Sequence, residues 1–126
     1  VFVNRALYNE EKNLKENDIV IVASTGSKKV IGKPAFIKQD FDNIQIGAFL
    51  RIIRPKHNEY SDYLRILFSS RYYRNYISKI TQGTNINNIK NSYINEFLIT
   101  LPPLEEQKRI VEKLDSLLPL VGSLKI

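Results

Sequence analysis

The sequence predicts an α+β fold in which several strands precede the helices. Three strand-like segments lie in the first half of the chain, at residues 19–23, 30–37 and 48–54. Two segments with helical periodicity follow, at residues 60–68 and 70–80. Because strands and helices are grouped rather than alternating, we expect a mixed or antiparallel β-rich domain with helices instead of repeated βαβ units. We expect a long C-terminal coiled-coil helix to follow this domain.

The composition is that of one globular domain. The chain has 126 residues, of which 43% are hydrophobic and 25% charged, enough for a single core. It contains no cysteine, which excludes disulfides and thiolate metal sites, and no apolar run approaches the ~20 residues of a membrane helix. We therefore expect a soluble cytoplasmic protein with no membrane partner. The start at Val1 rather than methionine predicts a fragment, a trimmed chain or a processed one.

The strands are predicted from patterning. Residues 19–23 read Ile-Val-Ile-Val-Ala, a β-branched run typical of a buried strand. Apolar residues at 30–31 and at 35–37 lie on either side of Gly-Lys-Pro at residues 32–34. This pattern predicts two strands joined by a hairpin turn. Residues 48–54 predict a further strand, which Pro55 ends.

Two helices are predicted next. Apolar residues at 60, 63, 64, 67 and 68 lie on one helical face, and Ser70 is placed to cap a second helix. Tyrosines are frequent here, and we interpret Tyr63, Tyr73 and Tyr76 as core residues with surface-reaching hydroxyls rather than as base-stacking groups.

The positive charge is unevenly distributed. The net charge is +6, and residues 63–95 contain five cationic side chains and no acidic one. That pattern fits a surface facing nucleic-acid phosphates, but it also fits the solvated face of ordinary helices. Charge alone leaves both interpretations open.

Two polar loops are candidates for nucleic-acid contact. Residues 24–29 offer hydroxyls, a flexible backbone and two lysines, which suit phosphate and base contacts, and the alternative is a plain exposed turn. Residues 82–90 are rich in asparagine and threonine. Such amides pair with adenine in the major groove, or they are used in holding their own turn.

The sequence predicts no catalysis and no cofactor. Gly26 with Gly32 and Lys33 departs from a P-loop, because five residues separate the glycines and Pro34 replaces the magnesium-binding hydroxyl. His57 is the single histidine, and without cysteine it forms neither a conventional zinc site nor a Cys-His pair. We therefore expect a binding protein rather than an enzyme.

The last segment predicts a strand, a stop and a helix. Residues 97–101 alternate like a strand, and Pro102 and Pro103 then end it and start a helix. The apolar positions Ile110, Leu114, Leu117, Val121 and Leu124 are spaced 4, 3, 4 and 3. This spacing is typical of a coiled-coil seam. Pro119 predicts a kink near Leu118, or order beyond it that depends on a partner.

One stretch of this segment resembles a known family. Residues 101–115 read Leu-Pro-Pro-Leu-Glu-Glu-Gln-Lys-Arg-Ile-Val-Glu-Lys-Leu-Asp and resemble the start of the spacer helix in specificity (S) subunits of type I restriction-modification systems. Weaker similarities occur at residues 17–22, 32–37, 63–70 and 83–89. The resemblance covers residues 18–124, a fraction of a full S subunit, which has two recognition domains joined by two such helices.

The resemblance implies a division of the chain and a function. Residues 1–101 would form a target recognition domain, N-terminally incomplete, and residues 102–126 would begin the spacer or dimerisation helix. The chain would read one half of a bipartite site in double-stranded DNA. It would dock methyltransferase (M) and restriction (R) subunits, which supply the chemistry. A second copy could complete the spacer, giving a homodimer.

Candidate residues follow from these predictions. The predicted DNA contacts are Ser24, Thr25, Gly26, Ser27, Lys28, Lys29, Lys33, Arg71, Arg74, Lys79, Gln82, Gly83, Thr84, Asn85, Asn87 and Lys90. The predicted helix-pairing residues are the five of the seam. Two alternatives are a helix-mediated assembly module with incidental basic charge and a nuclease with an unusual site, which magnesium-dependent plasmid cleavage would reveal.

Overall fold

The structure, a computed structural model, describes residues 9–25, 29–82, 88–97 and 101–123, with side chains up to residue 120. Its core is a three-stranded antiparallel sheet in the order β2-β1-β3, against which helices pack. The elements in chain order are β1 (Ile19–Val22), β2 (Pro34–Phe36), β3 (Leu50–Ile53), α1 (Ser61–Ser69), α2 (Arg71–Thr81), α3 (Asn91–Asn95) and α4 (Leu104–Ser123). Short 3-10 turns occupy Glu10–Lys12 and Asn58–Tyr60. The α+β prediction is confirmed and the sheet is antiparallel, but the expectation of a β-rich domain was wrong, because the described strands are short and the described helices are longer.

The central strand β1 is buried, as its sequence predicts. Ile19, Ile21 and the following Ala23 are 2%, 0% and 0% exposed and belong to the core. These alternate positions lie on one face of the sheet, where they pack with Phe68 of α1 and Ile77 of α2. Hydrophobic burial on this face therefore joins the sheet to the helices.

The hairpin differs from the expected one. Residues 29–32 form a turn, not a strand, and β2 pairs with β1, so that Pro34 lies opposite Ile21. The amide of Gly32 donates to the Val22 carbonyl at 2.7 Å. The prediction of a strand at residues 30–31 was wrong because Gly32 has a φ of +77°. This left-handed conformation makes a turn there.

An ion pair between an exposed arginine and a buried carboxylate joins the end of β3 to the start of β1. Arg54 donates through Nε and Nη2 to the two carboxylate oxygens of Asp18, each at 2.7 Å. Asp18 is 1% exposed, and its hydrogen bond raises the pKa of Arg54. The bidentate geometry satisfies both oxygens of a carboxylate that is otherwise costly to bury.

The two middle helices lie within one residue of the predicted segments, and Ser70 caps α2 by accepting from the Tyr73 amide at 3.4 Å. Tyr73 is a core residue, as predicted, but it is 1% exposed and its hydroxyl does not reach the surface. The hydroxyl donates instead to the Gly32 carbonyl at 2.5 Å. The hydroxyl of Tyr76 likewise donates to the Tyr93 carbonyl. Burial raises the pKa of Tyr73 well above its ordinary value.

Helix α4 begins after Pro103, as predicted, and it continues through Pro119 to Ser123. It contacts α1 and the preceding 3-10 turn, and Arg65 of α1 lies 3.4 Å from Asp115. The first part of the helix therefore packs on its own domain, and a long C-terminal coiled coil is not confirmed. A kink near Leu118 stays a prediction.

The strand predicted at residues 97–101 lies largely outside the described residues, although Phe97 itself is buried. No helix within the described ranges is long and apolar enough to span a membrane.

The contact between Gly32 and α2 predicts the effect of a methyl group. A Cβ at Gly32 would lie 2.8 Å from Cγ2 of Ile77, and the left-handed φ adds strain. We expect Gly32→Ala to lower the free energy of unfolding by roughly 2 to 4 kcal/mol in urea denaturation. Gly47→Ala is the matched control, because nothing lies within 4 Å of the added Cβ. Equal effects of the two variants would contradict this packing.

The buried Tyr73 hydroxyl predicts a loss of stability at alkaline pH. The raised pKa keeps the phenol protonated in the folded state, while the unfolded chain releases the proton near pH 10. Above that pH, loss of the Tyr73 proton stabilises the unfolded state relative to the folded state. This residue then lowers the free energy of unfolding by about 1.4 kcal/mol for each pH unit. We expect Tyr73→Phe to lose this component of the pH dependence. At pH 7 the variant should be less stable by roughly 1 to 3 kcal/mol, because the Gly32 carbonyl loses its donor.

The measurement is urea denaturation of both proteins at intervals from pH 7 to pH 12. Other titrating groups are common to the two proteins, so the difference between the curves isolates Tyr73. Parallel curves above pH 10 would show that the phenol is not buried in the folded state.

Candidate nucleic-acid interface

The two predicted loops meet at one end of β1. Ser24 forms an antiparallel bridge with Asn88, and the amide of Ile89 donates to the Ala23 carbonyl at 2.5 Å. The described parts of the loops, residues 24–25 and 88–90, therefore lie side by side. Seven predicted contact residues lie outside the described residues: Gly26, Ser27, Lys28, Gly83, Thr84, Asn85 and Asn87.

This edge combines an anchored backbone with exposed polar side chains. Ile89 is 0% exposed and part of the core, whereas its neighbours Asn88 and Lys90 are exposed. Ser24 and Thr25 are half-buried. Alternation along the segment thus buries one side chain and presents an amide and an ammonium group to solvent.

A second part of the site is a groove between the turn before β2 and helix α2, which we call the basic groove. It has a volume of about 250 Å³. Its cations come from two elements, with Lys29 and Lys33 in the turn and Arg74 on the helix. The remaining lining residues are Ile31, Gly32, Pro34, Tyr73, Ile77, Ser78 and Thr81. Among the described residues, none that lines the groove is acidic.

The exposed face of α2 carries the other predicted cations. Arg71 and Arg74 are one turn apart, and both are exposed. Lys79 and Gln82 are also exposed, near the C-terminal end of the helix. Within the described ranges, the three cations on this helix make no ion pair, in contrast to Arg54, Arg65 and Arg109, which contact carboxylates. The α2 cations are therefore exposed and have no carboxylate partner among the described residues.

Sequence reasoning missed an aromatic residue beside the loops. Phe49 is 69% exposed, and its carbonyl accepts from the amides of Ala23 and Ser24 at 2.9 and 3.1 Å. Arg51 stabilises the turn at residues 47–49 by donating to the Ala48 carbonyl and to Oδ1 of Asn91. Gly47, two residues before Phe49, was the available signal for a turn. Phe49 was instead assigned to the strand predicted at residues 48–54.

The predicted helix seam divides into two parts. Ile110 and Leu114 are half-buried, whereas Leu117 is 42% exposed. The side chains of Val121 and Leu124 lie outside the described part. Leu118 and Leu120, which the seam does not include, are 54% and 61% exposed. The second half of α4 thus presents a broader apolar surface than a coiled-coil stripe.

The potential metal ligands are dispersed in the described part of the chain. Within the described ranges, no group of three His, Cys, Asp or Glu side chains is placed to hold a metal ion. His57 is exposed and packs its ring against Tyr60 at a centroid distance of 5.8 Å. Amides, hydroxyls and free cations are the groups that this surface offers.

Comparisons with known proteins identify the family of this chain. The family model for the type I restriction modification DNA specificity domain matches residues 3–121. The chain is 43% identical over 125 residues to the EcoKI specificity subunit of Escherichia coli K12 and 42% identical over 125 residues to the StySPI specificity subunit of Salmonella potsdam. Each match covers 99% of this chain and 27% of the relative.

A more distant relative is the MjaVIII specificity subunit of Methanocaldococcus jannaschii, which is 25% identical over 118 residues, or 92% of this chain and 25% of the relative. The chain thus spans about a quarter of the length of the curated relatives it matches. Since the family model covers nearly all of the sequence, the chain belongs to the family of type I restriction modification DNA specificity domains.

Proposed function

We propose that this chain reads one half of a bipartite site in duplex DNA, as the recognition part of a type I restriction-modification specificity subunit. The observation that carries the proposal is the pairing of Ser24 with Asn88, which sets the two polar loops side by side next to a cationic helix. Family membership supports the same function. The chain would bind DNA without catalysing a reaction.

The proposed mechanism separates base contacts from phosphate contacts. Amides at residues 82–88 would pair with adenine edges in the major groove, and the hydroxyls of Ser24 and Thr25 would accept or donate to neighbouring bases. Cations on α2 would meet the sugar-phosphate backbone and set the orientation of the duplex. The anchored Ile89 supports this division, because a fixed backbone limits the conformations that the exposed Asn88 explores.

The remaining parts of the proposal concern assembly. Residues 1–101 would act as the target recognition domain, and residues 102–126 would begin the spacer that separates two such domains. M subunits would supply methyl transfer and R subunits would supply restriction in the complete complex. The exposed leucines of α4 support the proposal that this helix packs against a partner. The partner that we propose is a second copy of the chain.

Replacing a proposed base-reading amide should reduce sequence discrimination. Duplexes enriched by the chain from a random pool provide the preferred site, and a scrambled duplex provides the reference. We expect Asn88→Ala to lower the preference by about 5- to 150-fold, since a lost bidentate contact is worth about 1 to 3 kcal/mol. Fluorescence anisotropy at fixed salt measures both affinities. The bridge to Ser24 is formed by backbone atoms and does not require the side-chain amide of Asn88, so folding should be preserved.

Asn43→Ala is the matched control, because Asn43 is also exposed but lies in the turn before β3. An unchanged preference in the Asn88 variant would remove this residue from base reading. A wild-type chain that enriches no motif and binds no duplex would overturn the proposed function and favour an assembly module.

Self-association through α4 is a separate prediction. We expect a dimer in sedimentation velocity at tens of micromolar, and we expect Leu117→Ser to shift the population toward the monomer. Ile44→Ser is the matched control, because Ile44 is 47% exposed against 42% for Leu117 and lies outside α4. A strictly monomeric wild-type chain would argue against pairing of two copies.

A further inference from the structure

We propose that the basic groove binds a backbone phosphate of the duplex and not a base edge. The groove would then supply sequence-independent affinity and fix the register of the neighbouring loops. This inference rests on the proposed function, because it assigns a ligand to one part of the same interface.

The charge of the groove is the first argument. Lys29, Lys33 and Arg74 reach it from a turn and from a helix, and all three are exposed. Within the described ranges none of them forms an ion pair, and no lining residue is acidic. Three like charges around one concave surface repel each other, and an anion between them relieves that repulsion.

The chemistry of the lining residues is the second argument. The groove combines ammonium and guanidinium donors with apolar side chains such as Ile31 and Ile77, and none of the described residues that line it is an asparagine or a glutamine. The hydroxyl of Thr81 already donates to the Ile77 carbonyl at 2.8 Å. Lysines act as point charges, and an arginine fork matches phosphate oxygens. The set therefore fits an oxyanion better than the mixed donor and acceptor pattern of most base edges.

The rigidity of the groove is the third argument. The Tyr73 hydroxyl holds the Gly32 carbonyl at 2.5 Å, and no side chain fits between Gly32 and Ile77. The turn that carries Lys33 therefore packs directly on the helix that carries Arg74. This packing fixes the separation of their backbones before any ligand arrives, which lowers the ordering cost of binding.

The position of the groove gives the phosphate contact a consequence. Lys29 lies in the same connection between β1 and β2 as Ser24 and Thr25. A phosphate held between Lys33 and Arg74 would place the adjacent bases at a set distance from the paired loops. The groove would thus orient the duplex for reading without itself distinguishing sequences.

The test compares Lys33→Gln, Arg74→Gln and the double variant with the wild-type chain across a salt series. Each single variant should reduce the slope of log affinity against log salt by about 0.9 for duplex DNA. Between 50 and 200 mM salt, each single variant should lose about 3.5-fold less affinity than the wild type, and the double variant about 12-fold less. Affinity for preferred and scrambled duplexes should fall by the same factor, so that their ratio is unchanged.

Lys113→Gln is the matched control. It removes one positive charge from an exposed position on α4, and no α4 residue lines the groove. Thermal unfolding should be the same for all variants, because the replaced side chains are exposed. A control that lowers the salt slope as much as Lys33→Gln would mean that net charge, not the groove, explains the effect.

A duplex scan identifies the phosphate itself. Neutral methylphosphonates are placed one at a time along the preferred duplex. At one position the replacement should weaken binding by the wild type but not by the double variant. Additive losses at every position would overturn the phosphate assignment, as would a selective loss of preference at one guanine, which would make the groove a base reader. A wild type that binds no duplex at all would instead reject the proposed function.

Discussion

The contact between the Tyr73 hydroxyl and the Gly32 carbonyl connects the two halves of this structure. It joins helix α2 to the turn between β1 and β2 at 2.5 Å, inside the core. A buried carbonyl without a donor is costly, and Gly32 leaves no room for a side chain against Ile77. The turn and the helix therefore hold a fixed relation. The basic groove lies between them, and this contact helps to fix its two walls.

A different kind of interaction organises the other end of β1. The pairing of Arg54 with Asp18 neutralises a carboxylate that is 1% exposed, so this cation has a structural role. The cations on α2 have exposed positions and no carboxylate partner in the described part of the chain. Counting basic residues does not separate these two groups. The presence or absence of a carboxylate partner in the described part of the chain does separate them. The proposed DNA surface rests on this difference between paired and unpaired cations.

Local features of the chain were predictable to different degrees. The run of β-branched residues indicates a buried β1, because burial on both faces requires apolar side chains at every position. The cap at Ser70 and Pro103 before α4 indicate helix starts for equally local reasons. The strand expected at residues 30–31 was wrong, since the φ of Gly32 depends on its packing against Ile77. The exposed Phe49 was missed because its exposure depends on how the corner at Gly47 folds.

The sequence by itself determined the class of the fold, the bounds of the two middle helices, the family resemblance and the inventory of cations and amides. These follow from composition, periodicity and capping, which act over a few neighbouring residues. Only the tertiary structure decided that Ser24 meets Asn88, that Lys33 faces the same groove as Arg74, and that α4 packs back on α1. These contacts join residues 35 or more positions apart in the chain. They depend on how the sheet and the helices share one core, which no local pattern specifies.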